Sequence, residues 1–345
     1  NFASGINKLV LHVFTHNPWM QKKPGMTLDG VGLYYQRNQT WFAQSKAWIE
    51  YLTRCQALLQ LGKPVVDIGV FTGEEIPSRS ILPDRLINTL PGIFGKEKVE
   101  AEKKRLQNEG QPQRSIPDGV THAANMADPE NWIDPLNGYA YDSFNPDVLL
   151  QLFVENGAVV TPGGARYKIL VLPARHALNP NNSLVSETVL QKLIQLLKAG
   201  ATIILSNDYV NGIGMKDRDG TVRLLVKELL NKTGKKEKLI LAPYTDSSLA
   251  KLGVVKDVDV LKGKNTIAWT HRKETDADIY FIANQAGRQQ VALSFNNNAK
   301  PMLINPVTGV IKAPQQWSVK GGRVTLQQTM EAGESFFIVF RKKAL

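Results

Sequence analysis

Cysteine is nearly absent from this chain: among 345 residues there is one, Cys55, which cannot form an internal disulfide. It falls in a helical pattern with no ligand-spaced partner, so neither a redox centre nor a cysteine-ligated metal is expected. Long apolar runs are missing too; none approaches the ~18 residues of a membrane-spanning helix, so no membrane span is expected. No signal-peptide pattern opens the chain, and its first residue is Asn1 rather than Met. The opening NFASGINKLVLHVF reads as an interior stretch, with a helix end, a turn at Gly5 and a strand over residues 8–14. A processed chain or a piece of a longer one is therefore expected. Phosphate-binding loops are lacking as well, since GVFTGEEIP holds neither GxGxxG nor GxxxxGK[ST]. There is no internal repeat and no low-complexity segment.

What is present is ordinary globular material, 43% hydrophobic and 21% charged, which excludes disordered and fibrous classes. The net charge of +11 raises the question of a nucleic-acid partner, but the densest stretch, KEKVEAEKKR from Lys96 to Arg105, alternates in sign. It places Glu100 four residues before Lys104, the pattern of a solvated helix laced with ion pairs, so no nucleic-acid partner is expected.

Three regions follow from the periodicity. Residues 1–62 read as one strand–loop–helix unit, its helix running from about Thr40 to Leu61 and stopped by Gly62 and Pro64. Residues 63–261 read as an α/β domain. PVVDIGVF (64–71) looks like a buried parallel strand, and a loop insertion at 72–144 is interrupted by the charged helix near 96–108. There follow a helix at 146–154, a hairpin around Pro162-Gly163-Gly164, strands at 168–173 and 201–206, and helices at 185–199 and 220–231. Residues 262–345 break into short β-branched and aromatic segments with regular turns, an all-β sandwich.

The chemistry-bearing cluster is LVLHVFTHNPW and the loop after it. His12 lies within the expected strand; His16, Asn17 and Trp19 fall just past its C-terminal end, and Arg37, Asn38 and Trp41 follow. Amide, imidazole and guanidinium groups beside indoles suit a sugar, whose hydroxyls want polar partners and whose C–H face wants an aromatic plane. The opposing reading makes His12 a hydrogen-bonded core histidine and the tryptophans packing. A zinc site is not expected, because His12 and His16 have no acidic third ligand nearby. Glycoside hydrolysis commonly needs two carboxyl groups, yet residues 1–62 contain only Asp29 and Glu50. The α/β domain shows no nucleophile: GGARY (163–167) and NGIGMKDRDG (211–220) read as turn and loop.

The segments ASGINKLVLHVFTHNPW, QRNQTWFAQSKAWIEYLTRCQALLQLGKPVVDIGVFTGEEIP, GYAYDSFNPDVL and HRKETDADIYFIAN resemble the C-terminal part of glycoside hydrolase family 106, the α-L-rhamnosidases and related large bacterial glycosidases. The resemblance implies that residues 1–62 are the last strand and helix of a (β/α)8 barrel, with His12, His16, Asn17, Trp19, Arg37, Asn38 and Trp41 near its mouth. It implies that 63–261 form an amidotransferase-like, flavodoxin-like accessory domain and 262–345 the sandwich. It further implies inverting hydrolysis of rhamnose-containing glycans in the periplasm or outside the cell, with a calcium ion helping to hold sugar hydroxyls. The catalytic carboxylates would lie in a missing N-terminal part of the same polypeptide, leaving this chain alone inactive. A second reading is a non-catalytic carbohydrate-binding or scaffold module that contacts glycan through the sandwich and the 122–145 loop. A third is a stand-alone α/β enzyme with a site around Asp142, Asn145 and Asp147.

Overall fold

A computed structural model describes residues 1–23, 25–26, 35–74, 80–107, 134, 136–173, 184–206, 220–231, 238–263 and 266–342. They fall into two compact units. The first joins Asn1–Pro64 to Lys262–Ala292 and Asn297–Leu345; the second comprises Val65–Leu261 with Leu293–Asn296. Residues 1–62 and 262–345, set out above as separate domains, thus share one unit.

In the first unit the helix Ser45–Leu59 forms because apolar residues recur at helical spacing. Leu52, Cys55 and Leu59 are buried, and they pack with Phe2 against Ala268, Ala277, Ile279, Phe281, Phe337 and Val339. Those partners belong to an antiparallel sheet with the strand order Lys63–Pro64, Ile267–Lys273, Ala277–Asn284, Ser335–Arg341, Pro301–Ile304, Ile311–Lys312. The central strand Ala277–Asn284 is buried along almost its whole length, which explains its continuous apolar character. Full burial of each large side chain here contributes roughly 1.5–3 kcal/mol.

The helix ends where its sequence says it should. Gly62 has φ +57°, and a Cβ there would fall 2.1 Å from the Lys273 carbonyl oxygen. The close approach lets Arg272 donate from Nε to the Leu61 carbonyl and from Nη2 to that of Gly62, both at 2.6 Å. Lys63–Pro64 then pairs with Arg272 and Lys273 as an edge strand, where proline's missing donor does no harm. The strand expected at 64–71 is consequently split, and only Ile68–Phe71 joins the parallel sheet. A hairpin Gln316–Lys320/Arg323–Met330 turns on Gly321 and Gly322, both at positive φ, as a two-residue primed turn requires.

The strand expected at 8–14 is not formed. Residues 6–17 carry no strand, and Val10, Leu11 and Phe14 are exposed, Val10 at 88%. The segment has no neighbouring strand among the described residues to complete a ladder. Its polar groups turn elsewhere: Leu9 N–H donates to Gln56 Oε1 at 2.8 Å, and Tyr35 N–H to the Val13 carbonyl at 2.9 Å. Of the barrel element expected for 1–62, the helix is present and the strand is not.

The second unit is built on five parallel strands in the order Tyr141–Phe144, Ile68–Phe71, Ile169–Leu172, Thr202–Leu205, Lys238–Leu241. In chain order this is 2-1-3-4-5, the doubly wound arrangement of flavodoxin-like folds. Alternate residues serve opposite cores. Leu170, Leu172, Ile203 and Leu205 pack with the helices Glu187–Lys198 and Thr221–Leu230, while Ile169, Val171 and Ile204 face Leu86, Leu90 and Ile93. The Tyr141–Phe144 edge strand lies inside the stretch read as loop. The helix expected at 146–154 stops at Gln151, and Phe153–Glu155 continues as a strand of a small antiparallel sheet with Ala158–Val160 and Arg166–Tyr167.

Candidate functional site

The sugar-facing cluster read from the sequence divides in two. Tyr35, Trp41, Phe42 and Trp48 form an aromatic group, with Tyr35 5.3 Å from Trp41 and 5.6 Å from Phe42 between centroids, and Trp41 5.9 Å from Trp48 edge to face. Trp41, Gln44, Ser45 and Trp48 line a shallow recess of about 290 Å3 with an almost wholly apolar surface. The short 3-10 turn Phe42–Gln44 leads into the Ser45–Leu59 helix and sets Trp41 and Trp48 on the same side.

Nearby in sequence, Gly25 closes the loop against two amides. Its φ is +98°, and a Cβ would fall 2.6 Å from Asn17 Nδ2 and 3.0 Å from Gln36 Oε1. Thr15 Oγ1, Asn17 Nδ2 and Asn38 Nδ2 are buried without a hydrogen-bond partner among the described residues. Each such group costs about 1–3 kcal/mol, a cost a site can carry when a ligand or another segment supplies the partner.

The remaining candidates stand apart from these contacts. His12, His16 and Arg37 are exposed, and none forms a side-chain hydrogen bond or ion pair among the described residues. Trp19 is half exposed, with Lys22 Nζ 5.3 Å from its ring centre. Sequence reasoning misses Thr15, Gly25 and Trp48. Of these only Trp48 leaves a signal, standing seven residues after Trp41, about two helical turns.

Catalytic chemistry is sparse around this cluster. Glu50 lies on the helix and pairs with Arg54 at 3.2 Å; Asp29 lies outside the described residues. Cys55 is fully buried, and burial pushes its thiol up to about 11, so it supplies no thiolate. In the second unit Asn145 caps the helix Pro146–Gln151, its Oδ1 accepting from Val148 N–H at 3.1 Å, while its Nδ2 donates to Asp147 at 3.3 Å. Those two are cap chemistry. Most of the 122–145 loop lies outside the described residues.

The described residues thus hold a parallel α/β unit and an antiparallel unit with an aromatic and amide cluster, and among them no carboxylate pair stands beside that cluster. A sequence model of the glycoside hydrolase family 106, described as alpha-L-rhamnosidase, matches residues 1–131 and 120–317, and the chain belongs to this family of glycosidases. It is similar to the rhamnosidase of Novosphingobium sp. PP1Y, with a TM-score of 0.73 and 26% identity, covering 99% of this chain and 29% of that one. It is also 29% identical, over 99% of its length and 24% of the other, to a protein of Formosa agariphila provisionally named a beta-glucuronidase. The chain thus spans about a quarter of the length of these relatives.

Proposed function

We propose that this chain is the C-terminal part of a bacterial α-L-rhamnosidase that hydrolyses terminal α-L-rhamnosides of plant or microbial polysaccharides, in the periplasm or outside the cell. The observation that carries the reading is the segment 8–14. Its apolar Val10, Leu11 and Phe14 are exposed, as a barrel strand would be without its neighbours. In this reading the neighbouring strands, and the catalytic carboxylates with them, belong to an N-terminal part of the same polypeptide. Asn17, Asn38 and Trp41, with His12, His16, Trp19 and Arg37, then border the mouth of the completed barrel and meet the glycan.

Calcium enters the proposal as an ion that helps to hold the sugar hydroxyls. It prefers 6–8 oxygen ligands including carboxylates, and the described residues contain no group of three or more His, Cys, Asp or Glu side chains that could hold a metal ion. The chain's own part is to line the sugar pocket: amide groups for hydroxyls and indole faces for C–H surfaces.

The test compares this chain with the longer polypeptide on 4-nitrophenyl α-L-rhamnopyranoside and 4-nitrophenyl β-D-glucuronide. Rhamnoside hydrolysis by the longer protein and none by this chain is the expected result. Turnover by this chain alone, or a longer protein active only on the glucuronide, would overturn the reading. The apolar Trp41–Trp48 recess without a carboxylate pair favours the second reading, a carbohydrate-binding module, which predicts rhamnoside binding by a longer protein that turns over neither substrate.

A further inference from the structure

The α/β unit contains a cavity of about 570 Å3, within the about 300–1,000 Å3 typical of small-molecule sites. It opens beside the edge strand Tyr141–Phe144, and Asp142, Ser143, Phe144, Gln151, Thr161 and Tyr167 contribute to its lining. The enzymatic reading of Asp142 with Asn145 and Asp147 dissolves into helix capping for the latter two. Asp142 itself has a different setting.

Tyr167 Oη donates to Asp142 Oδ2 at 3.3 Å, and the Tyr167 ring stacks on Phe144 with centroids 6.3 Å apart and planes 23° from parallel. Gly69, in register with Asp142 on the neighbouring strand, makes this possible. A Cβ there would fall 3.0 Å from Phe144 Cε1 and 3.1 Å from Tyr167 Cδ2. Two hydroxyls on the wall have spent only their acceptor side: Ser143 Oγ accepts from Ile81 N–H at 2.9 Å and Thr161 Oγ1 from Ala165 N–H at 3.0 Å. Their protons have no partner among the described residues.

Among the described residues the lining includes no Lys, Arg or His and a single carboxyl, a set that favours neutral hydroxyls over a phosphate, sulfate, uronate or metal cation. Burial pushes the Asp142 carboxyl up from its ordinary value, which disfavours a bare charge and suits exchange of hydrogen bonds with neutral hydroxyls. An acceptor, several hydroxyl donors and an amide in one recess, backed by the buried Phe144–Tyr167 pair, are the complement of a polyol. We propose that this cavity is a binding site for one neutral sugar residue, formed wholly within the α/β unit and separate from the cluster at residues 12–48. It holds glycan without cutting it, and it does not depend on the rhamnosidase reading.

The test titrates the full chain with methyl α-L-rhamnopyranoside and methyl β-D-glucopyranoside, following binding by saturation-transfer NMR. The expected result is a Kd of about millimolar strength for at least one glycoside, weakened about tenfold by Tyr167→Phe and by Gln151→Ala. No transfer to either glycoside would overturn the proposal. So would binding that survives both cavity substitutions, or binding that Trp41→Ala abolishes. Gln151 is exposed, so Gln151→Ala keeps its native fold and decides the matter should Tyr167→Phe not fold.

Discussion

Asp278 is shut away from water on the Ala277–Asn284 strand, where His271 Nε2 lies 3.0 Å from Oδ1 and Asn297 Nδ2 donates to Oδ2 at 3.0 Å. Burial alone would raise its pKa, but the hydrogen bond and charge from His271, the charge of Lys273 and the Asn297 amide together hold it below the usual carboxylate range. Because the folded value lies below the unfolded value of about 3.9, the stabilisation is complete above that pH and fades as pH falls through the folded value. Thermal melts of Asp278→Ala are expected to show a loss of about 3–5 kcal/mol at neutral pH, narrowing as the medium is acidified past about pH 4. A gap constant in pH would assign the loss to packing alone. At Gly62 the conflict is steric rather than electrostatic. Gly62→Ala meets a backbone carbonyl at 2.1 Å with φ +57° and is expected to cost more than about 1 kcal/mol in denaturant midpoint. Cys55, its thiol held near 11 by burial, should react with a thiol reagent only when the chain is unfolded; prompt labelling of the native protein would contradict its placement.

Elements with strong internal patterns are legible in the sequence alone. The Ser45–Leu59 helix, its stop at Gly62 and the serine-capped helix Glu187–Lys198 follow from spacing and end signals that depend on neighbours a few residues away. Leu59→Ala should cost about 2–5 kcal/mol by equilibrium unfolding, since Leu59 is almost fully buried against the sheet. Two strands escape such reasoning for opposite reasons. Residues 8–14 have the composition of a strand but no partner among the described residues, and a strand is defined by its partner. Tyr141–Phe144 has a partner, yet its short, mixed sequence YDSF carries no alternation to announce it. The candidate site is legible only as a set of residue types. Whether His12 lies inside or outside, and that Asn17 and Gln36 converge beside Gly25, depends on tertiary packing that local spacing does not encode.

At the scale of the molecule, the chain is a member of glycoside hydrolase family 106 whose second unit carries a 2-1-3-4-5 parallel sheet. Of the residues of the third reading, a stand-alone enzyme, Asn145 and Asp147 sit at a helix cap and Asp142 lines the cavity beside Tyr141–Phe144. Alanine at Asn145 is accordingly expected to lower stability by about 1 kcal/mol and to leave glycoside hydrolysis by the longer polypeptide unchanged, as a kcat comparison would show.

The first unit also has a schedule. Its helix lies near one end of the chain, yet the strands that bury it arrive more than two hundred residues later, with Tyr51 Oη meeting Ser335 Oγ and Arg54 donating to the Val307 carbonyl. During synthesis the α/β strands from Ile68 to Leu241 emerge complete while the helix still waits with Leu52, Cys55 and Leu59 uncovered. A ribosome paused before Ser335 therefore holds a chain whose second core can close while the first still lacks Phe337 and Val339, and the strand Ser335–Arg341 completes the surface that covers the Ser45–Leu59 helix.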